Sequence, residues 1–176
     1  MQGEATHLYE RALSITEKSL GPDHPRLARL LGRLADVYAT TTRMGAAEQL
    51  YQRALAINER ASGPDHPTVA DTLSSLAALY AATSRTSEAE PLYRRALSVY
   101  QRTFGSGHPD VAQTLSSLAT LCTRASRMAE AENLYRQALA IYESTPSNHP
   151  AVAHNLRSLA DLYAQAARPT RLSPLI

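Results

Sequence analysis

Apolar residues fall along this chain in two recurring stripes, each with helical spacing. After His66-Pro67, the residues Val69, Ala70, Leu73, Leu76, Ala77, Leu79 and Tyr80 keep three- and four-residue steps. That spacing lines one face of an α-helix. Proline suits the first helical position, because its missing N–H would have no partner there. The segment Ala81-Ala82-Thr83-Ser84-Arg85-Thr86 breaks the stripe and predicts a turn. Ser87-Glu88-Ala89-Glu90 then reads as a capping box, with Ser at the cap and Glu three residues on. A second stripe follows at Ala89, Leu92, Tyr93, Ala96, Leu97 and Tyr100, and the glycines of Phe104-Gly105-Ser106-Gly107 end it. Nothing alternates with period two, so no strand is predicted.

The same two stripes return along the whole chain. Leu-Tyr occurs at Leu8-Tyr9, Leu50-Tyr51, Leu92-Tyr93 and Leu134-Tyr135, a step of 42 residues. His-Pro recurs at His24-Pro25, His66-Pro67 and His108-Pro109, and one residue early at His149-Pro150. Leu-Ala recurs at Leu34-Ala35, Leu76-Ala77, Leu118-Ala119 and Leu159-Ala160. The units starting at Leu50 and Leu92 match at about half of their positions. Each unit is therefore a helix pair that buries its apolar face by stacking on its neighbours. Helices of the first kind, A, are predicted over about 25–41, 67–82, 109–124 and 150–166. Those of the second kind, B, are predicted over about 4–19, 46–61, 87–103 and 129–144. The fold class is all-α: a solenoid over 1–167, with half-repeats at both ends and an irregular tail over 168–176. Small residues at the A–B crossings, Ala77, Ala96, Ala119 and Ala138, are expected to be buried.

Composition narrows the function. The net charge of +2, with basic residues spread along the repeats, gives no electrostatic case for nucleic acid or a membrane surface. The single cysteine, Cys122, excludes an intrachain disulfide and fits a reducing, cytoplasmic setting. Glu4, Glu10, Arg11, Glu17 and Lys18 leave no signal-peptide pattern at the start. No apolar run approaches the roughly 20 residues of a membrane-spanning helix.

The spacing Leu73, Leu76, Ala77, Tyr80, Ala89, Tyr93, Ala96 resembles the tetratricopeptide signature, whose common repeat is roughly 34 residues. The longer step, with its Gly63-Pro64-Asp65-His66-Pro67 link, resembles the kinesin light chain type. The resemblance covers about residues 4–166. It implies a right-handed superhelix of antiparallel helix pairs whose concave face, lined by A helices, holds a peptide or partner protein. That face would carry Asp71, Ser74, Ala78 and Ala81 in one unit. The others contribute Arg29, Gly32, Arg33 and Asp36; Gln113, Ser116 and Thr120; and His154, Arg157 and Asp161. Kinesin light chains carry paired Asn before the Leu-Ala. The same places here hold Gly32-Arg33, Ser74-Ser75, Ser116-Ser117 and Arg157-Ser158, with no Asn. The family's Lys and Asn clamp for a C-terminal carboxylate is likewise unmatched.

The residues that invite catalytic or metal chemistry read better as structure. His24, His66, His108 and His149 sit one per unit, about 10 Å apart by helix packing, too far to share a zinc bound at about 2 Å. They read as helix-entry residues. Cys122 takes the place of Tyr38, Tyr80 and Tyr163, with no His on its helix face, and reads as buried packing. No phosphate loop and no Ser/His/Asp signature appears. Arg94-Arg95 reads as a solvated face.

The chain is accordingly expected to be a non-enzymatic protein-interaction scaffold without a cofactor or metal, whose partner is a protein or peptide. The alternative is a rigid or self-assembling segment of a larger multidomain signalling protein. The first helix lacks an A partner and the last a B partner, so either the tail Leu172-Ser173-Pro174-Leu175-Ile176 folds back over the last face or a second molecule covers it. With two prolines over 168–176, self-association through the terminal helices is the favoured expectation. Exposure is expected among Leu156, Leu159, Leu162 and Tyr163.

Overall fold

The computed structural model describes residues 2–41, 43–144 and 150–166. They form eight α-helices and no strand: α1 (Gln2–Leu20), α2 (Pro25–Ala39), α3 (Met44–Ser62), α4 (Pro67–Ala82), α5 (Thr86–Phe104), α6 (Pro109–Arg124), α7 (Met128–Ser144) and α8 (Pro150–Ala166). The A helices are α2, α4, α6 and α8, and the B helices are α1, α3, α5 and α7. The tail expected over 168–176 and the capping role of His149 lie outside the described residues. The chain forms two packing units, Met1–Gly105 and Ser106–Ile176.

In the first unit, α2 packs on α3 and α4 on α5, through links short enough to force antiparallel neighbours. The core runs through Leu27, Leu31, Leu34, Tyr51, Ile57, Leu73, Leu76, Tyr80 and Val99, all buried. In the second unit α6 pairs with α7, and α7 with α8, around Ala119, Cys122, Ala131, Tyr135, Leu159 and Leu162. Ala77, Ala96, Ala119 and Ala138 have no exposed surface at all. With only a methyl group at each crossing, the helix backbones can approach closely.

His24, His66 and His108 cap their helices. Each imidazole Nδ1 accepts from the backbone N–H two residues on, at 3.2, 3.3 and 3.2 Å, with Pro next in sequence. The cap satisfies one of the helix's orphan donors. At the other ends, Gly63 and Gly105 close α3 and α5 at φ of 86° and 84°, where a side chain would be strained.

The capping box expected at Ser87 does not form. Helix α5 starts at Thr86 with Arg85 at the cap position and no side-chain cap bond. The cause is the preceding turn: Ser84 adopts φ 62°, and the Arg85 N–H returns to the Tyr80 carbonyl at 2.8 Å. That closure starts α5 before Ser87, which falls inside its first turn. Ser126 repeats it at φ 59°, with Arg127 N–H on the Cys122 carbonyl at 2.8 Å. The Arg85 side chain lies over the Tyr80 ring and pairs with Glu48 and Glu88, each at 2.6 Å. Nor is Arg95 merely solvated: it pairs with Glu59 at 2.7 Å and bonds the Pro64 carbonyl. Arg53 makes the same contacts one repeat earlier, with Glu17 and Pro22. These ion pairs are half-exposed and individually weak, but those of Arg53 and Arg95 tie α3 and α5 each to the link before the adjoining A helix.

At the terminal helices, Leu156 and Tyr163 of α8 are exposed, while Leu159 and Leu162 are buried. Leu8 and Ile15 of α1 are exposed as well.

Candidate functional site

A cleft of ≈ 730 Å³ opens in the first unit between α2 and α4, with α3 as its floor. From α2 come Arg26, Arg29, Gly32, Arg33 and Asp36; from α4, Thr68, Asp71, Thr72 and Ser75; from α3, Tyr51, Asn58 and Ser62. The cap at His24 and Pro25 sets the start of α2, so Arg26, Arg29 and Arg33 project along one side of that helix.

The floor is a fixed hydrogen-bond network. The buried Tyr51 hydroxyl donates to the Asp36 carboxylate at 2.6 Å, and Ser75 bonds the same phenol oxygen. Burial, then the Asp36 carboxylate, push the Tyr51 phenol far above its ordinary range. It stays a neutral donor to the Asp36 carboxylate beneath the opening. Tyr100 of α5 donates to Asp71 at 2.7 Å in the same way. Asn58 reaches from α3 to α4, donating to Thr72 Oγ1 at 3.0 Å. On the rim, Arg33 lies 3.8 Å from Asp36, an exposed and weak pair. Arg26 and Arg29 have no carboxylate partner among the described residues. Three guanidinium groups against two carboxylates leave the cleft net positive.

Of the residues proposed from sequence for a concave face, Arg29, Gly32, Arg33, Asp36 and Asp71 therefore share one cleft. Ser74 does not line it; its Oγ is buried without a hydrogen-bond partner, and its neighbour Ser75 lines the cleft instead. Residue 75 turns toward α2, whereas the family-based stripe placed 74 there. Ala78 is exposed on α4. The remaining candidates lie in the second unit. Ser116 donates to the buried Asn155 at 2.8 Å and bonds the Ala112 carbonyl. Thr120 bonds the Tyr135 hydroxyl at 2.9 Å. Gln113, His154, Arg157 and Asp161 are exposed.

Two cleft residues depart from the repeat in the same direction. The place of Asn58 is taken by Tyr100 and Tyr142 in the next two B helices, and that of Gly32 by Ser74 and Ser116. Both changes remove bulk from one cleft. A Cβ built on Gly32 would meet nothing within 4 Å, so no packing demand explains the glycine. Asn58 also makes no hydrogen bond to Arg29, the counterpart of the Asp71 that Tyr100 engages. The sequence reading missed Asn58, although comparing the repeats position by position finds it.

Among the described residues no three His, Cys, Asp or Glu side chains gather in a metal-binding group. Among the described residues no helix is long and apolar enough to cross a membrane.

Comparison with known proteins gives the architecture its relatives. The chain is similar to BtubC (BKLC) from P. vanneervenii, with 26% identity and a TM-score of 0.85 over 94% of this chain and 66% of that one. It is similar to the nearly identical TPR-like repeats of a kinesin light chain-like protein of Podosopora anserina, with 26% identity and a TM-score of 0.79 over 94% of this chain and 79% of that one. The apo form of RapI shares the fold, with a TM-score of 0.79 over 94% of this chain and 44% of that one, at 15% identity. No curated protein matches the chain in sequence. The tetratricopeptide repeat family model matches residues 3–60, 30–102, 68–144 and 110–171, overlapping stretches that together run from α1 to α8. The 42-residue helix pairs, their buried crossing alanines and this match agree: the chain belongs to the tetratricopeptide repeat family.

Proposed function

We propose that the chain is a non-enzymatic protein-interaction scaffold whose α2–α4 cleft holds an extended segment of a partner protein. The observation that carries this reading is the paired loss of bulk at Gly32 and Asn58 on one cleft, beside two unpaired arginines. Hydroxyls of Thr68, Thr72 and Ser75 can bond a peptide backbone, and Arg26, Arg29 and Arg33 can take its carboxylates. The prearranged floor lowers the ordering cost of binding.

The test is affinity capture with four forms: parent, Arg29→Glu/Arg33→Glu, Asn58→Tyr, and Lys18→Glu as a control on exposed α1. The reading expects a partner captured by the parent and the control and lost from both cleft variants. Capture of the same proteins by all four would overturn it.

A further inference from the structure

The terminal helices display the two halves of the contact that joins A to B elsewhere in the chain. On α8, Leu156 is 49% and Tyr163 44% exposed. Their counterparts Leu31, Leu73 and Leu115, and Tyr38, Tyr80 and Cys122, are all buried in A helices that a following B helix covers. On α1, Leu8 is 63% and Ile15 58% exposed. The counterparts of Ile15 in α3 and α5, Ile57 and Val99, are 1% exposed, in B helices that lie on a preceding A helix. Helix α1 keeps the rest of the B pattern: Ala5, Tyr9 and Ala12 stand where α3 has Ala47, Tyr51 and Ala54.

A polar pair repeats the match. In two of the A–B pairs, α2–α3 and α6–α7, the B-helix tyrosine bonds one residue of its A helix: Tyr51 with Asp36 at 2.6 Å, and Tyr135 with Thr120 at 2.9 Å, whereas α4 has Ala78 at that place. The same register assigns Tyr9 as the tyrosine of α1 and Asp161 as its acceptor on α8. Among the described residues neither has a hydrogen-bond partner.

We infer that a second copy of this chain covers α8 with its α1, completing an A–B pair between molecules in which Tyr9 of one copy donates to Asp161 of the other. The contact joins unlike faces, so a pair of copies held by one contact still displays one free α1 face and one free α8 face. Association through one helix face on each copy follows mass action, so it depends on protein concentration. The inference stands on faces outside the α2–α4 cleft and is independent of the proposed function.

Sedimentation velocity of the full chain, from about 10 μM to about 1 mM, tests it. The parent should show a sedimentation coefficient that rises with concentration. Ile15→Glu and Leu156→Glu, each at an exposed site, should be monomeric alone. Mixed in equal amounts they should form a one-to-one complex and nothing larger, since each keeps one intact face. Tyr9→Phe and Asp161→Asn, which preserve shape, should each weaken association about tenfold, and together no further than either alone. A strictly monomeric parent would overturn the inference. So would persistent self-association of either glutamate variant, which would mean like faces pair, or a monomeric mixture of two folded variants. No effect of Tyr9→Phe would overturn the assigned register.

Discussion

At the scale of single residues, the informative positions are those where one repeat differs from the others. Gly32 lies inside a helix, where glycine costs about 0.5–1 kcal/mol relative to alanine. A Cβ there meets nothing within 4 Å, so the fold gains nothing from the glycine. Gly32→Ala should therefore raise the melting temperature, read by circular dichroism, while weakening any ligand that lies against α2. The reverse case is Ala119, fully buried at a helix crossing. Ala119→Leu should cost about 1–3 kcal/mol in a denaturant titration; an unchanged midpoint would mean the repeat register is wrong. Glu48 gives a pH-dependent signal. Arg85 holds its carboxyl below the usual range, Tyr80 adds to that, and burial opposes both. A depressed folded value means the stabilisation is fully present above the unfolded value near 4.5 and is lost as pH falls through the lowered one. Between about pH 5 and pH 2 the parent should thus lose more thermal stability than Glu48→Gln. Equal slopes would show that the Arg85 pair contributes nothing measurable. Cys122 and the crossing alanines were legible from sequence, because burial follows from helical spacing alone. Asn58 was not read, because its meaning lies in what it replaces, not in what it is.

At the scale of helices, the His-Pro entry is an economical device. Imidazole Nδ1 closes one N–H, and proline supplies a position that needs none. His66→Ala should lower stability by about 1 kcal/mol, and His66→Asp should restore it. Failure of aspartate to rescue would indicate that the imidazole acts by packing and not by capping. Pro91 sits inside α5, where the corresponding B-helix positions hold Gln49 and Asn133. Pro91→Gln should stabilise the fold by roughly 1–3 kcal/mol through the recovered helix bond. Helix positions were legible to within a few residues, since stripes, prolines and glycines mark them. The start of α5 was not. A local Ser-Glu pattern at 87–90 lost to the turn at Ser84, whose positive φ and Arg85-to-Tyr80 bond depend on the end of α4. Cap motifs state what a side chain can do, and the preceding turn decides whether it is placed to do it.

At the scale of the molecule, the 42-residue period made the all-α repeat fold legible, because identical units can bury their faces only on one another. The candidate site was legible in part. Helix geometry singled out Arg29, Arg33, Asp36 and Asp71, but on α4 it took Ser74 for Ser75. A one-residue step turns a helix side chain by about 100°, and a stripe read from the family carries that much ambiguity. The polar floor was not legible at all, since Tyr51 and Tyr100 read simply as core. The central claim is that the α2–α4 cleft is where another protein binds. The most direct measurement places a photo-crosslinking benzoylphenylalanine at Gly32, with a control at exposed Ala56 of α3, in cells that make the chain natively. The account predicts a crosslink from position 32 to one defined segment of another polypeptide, little from position 56, and loss of the first when Asn58→Tyr fills the cleft. No crosslink from position 32, equal yield from position 56, or a crosslink that survives Asn58→Tyr would contradict it.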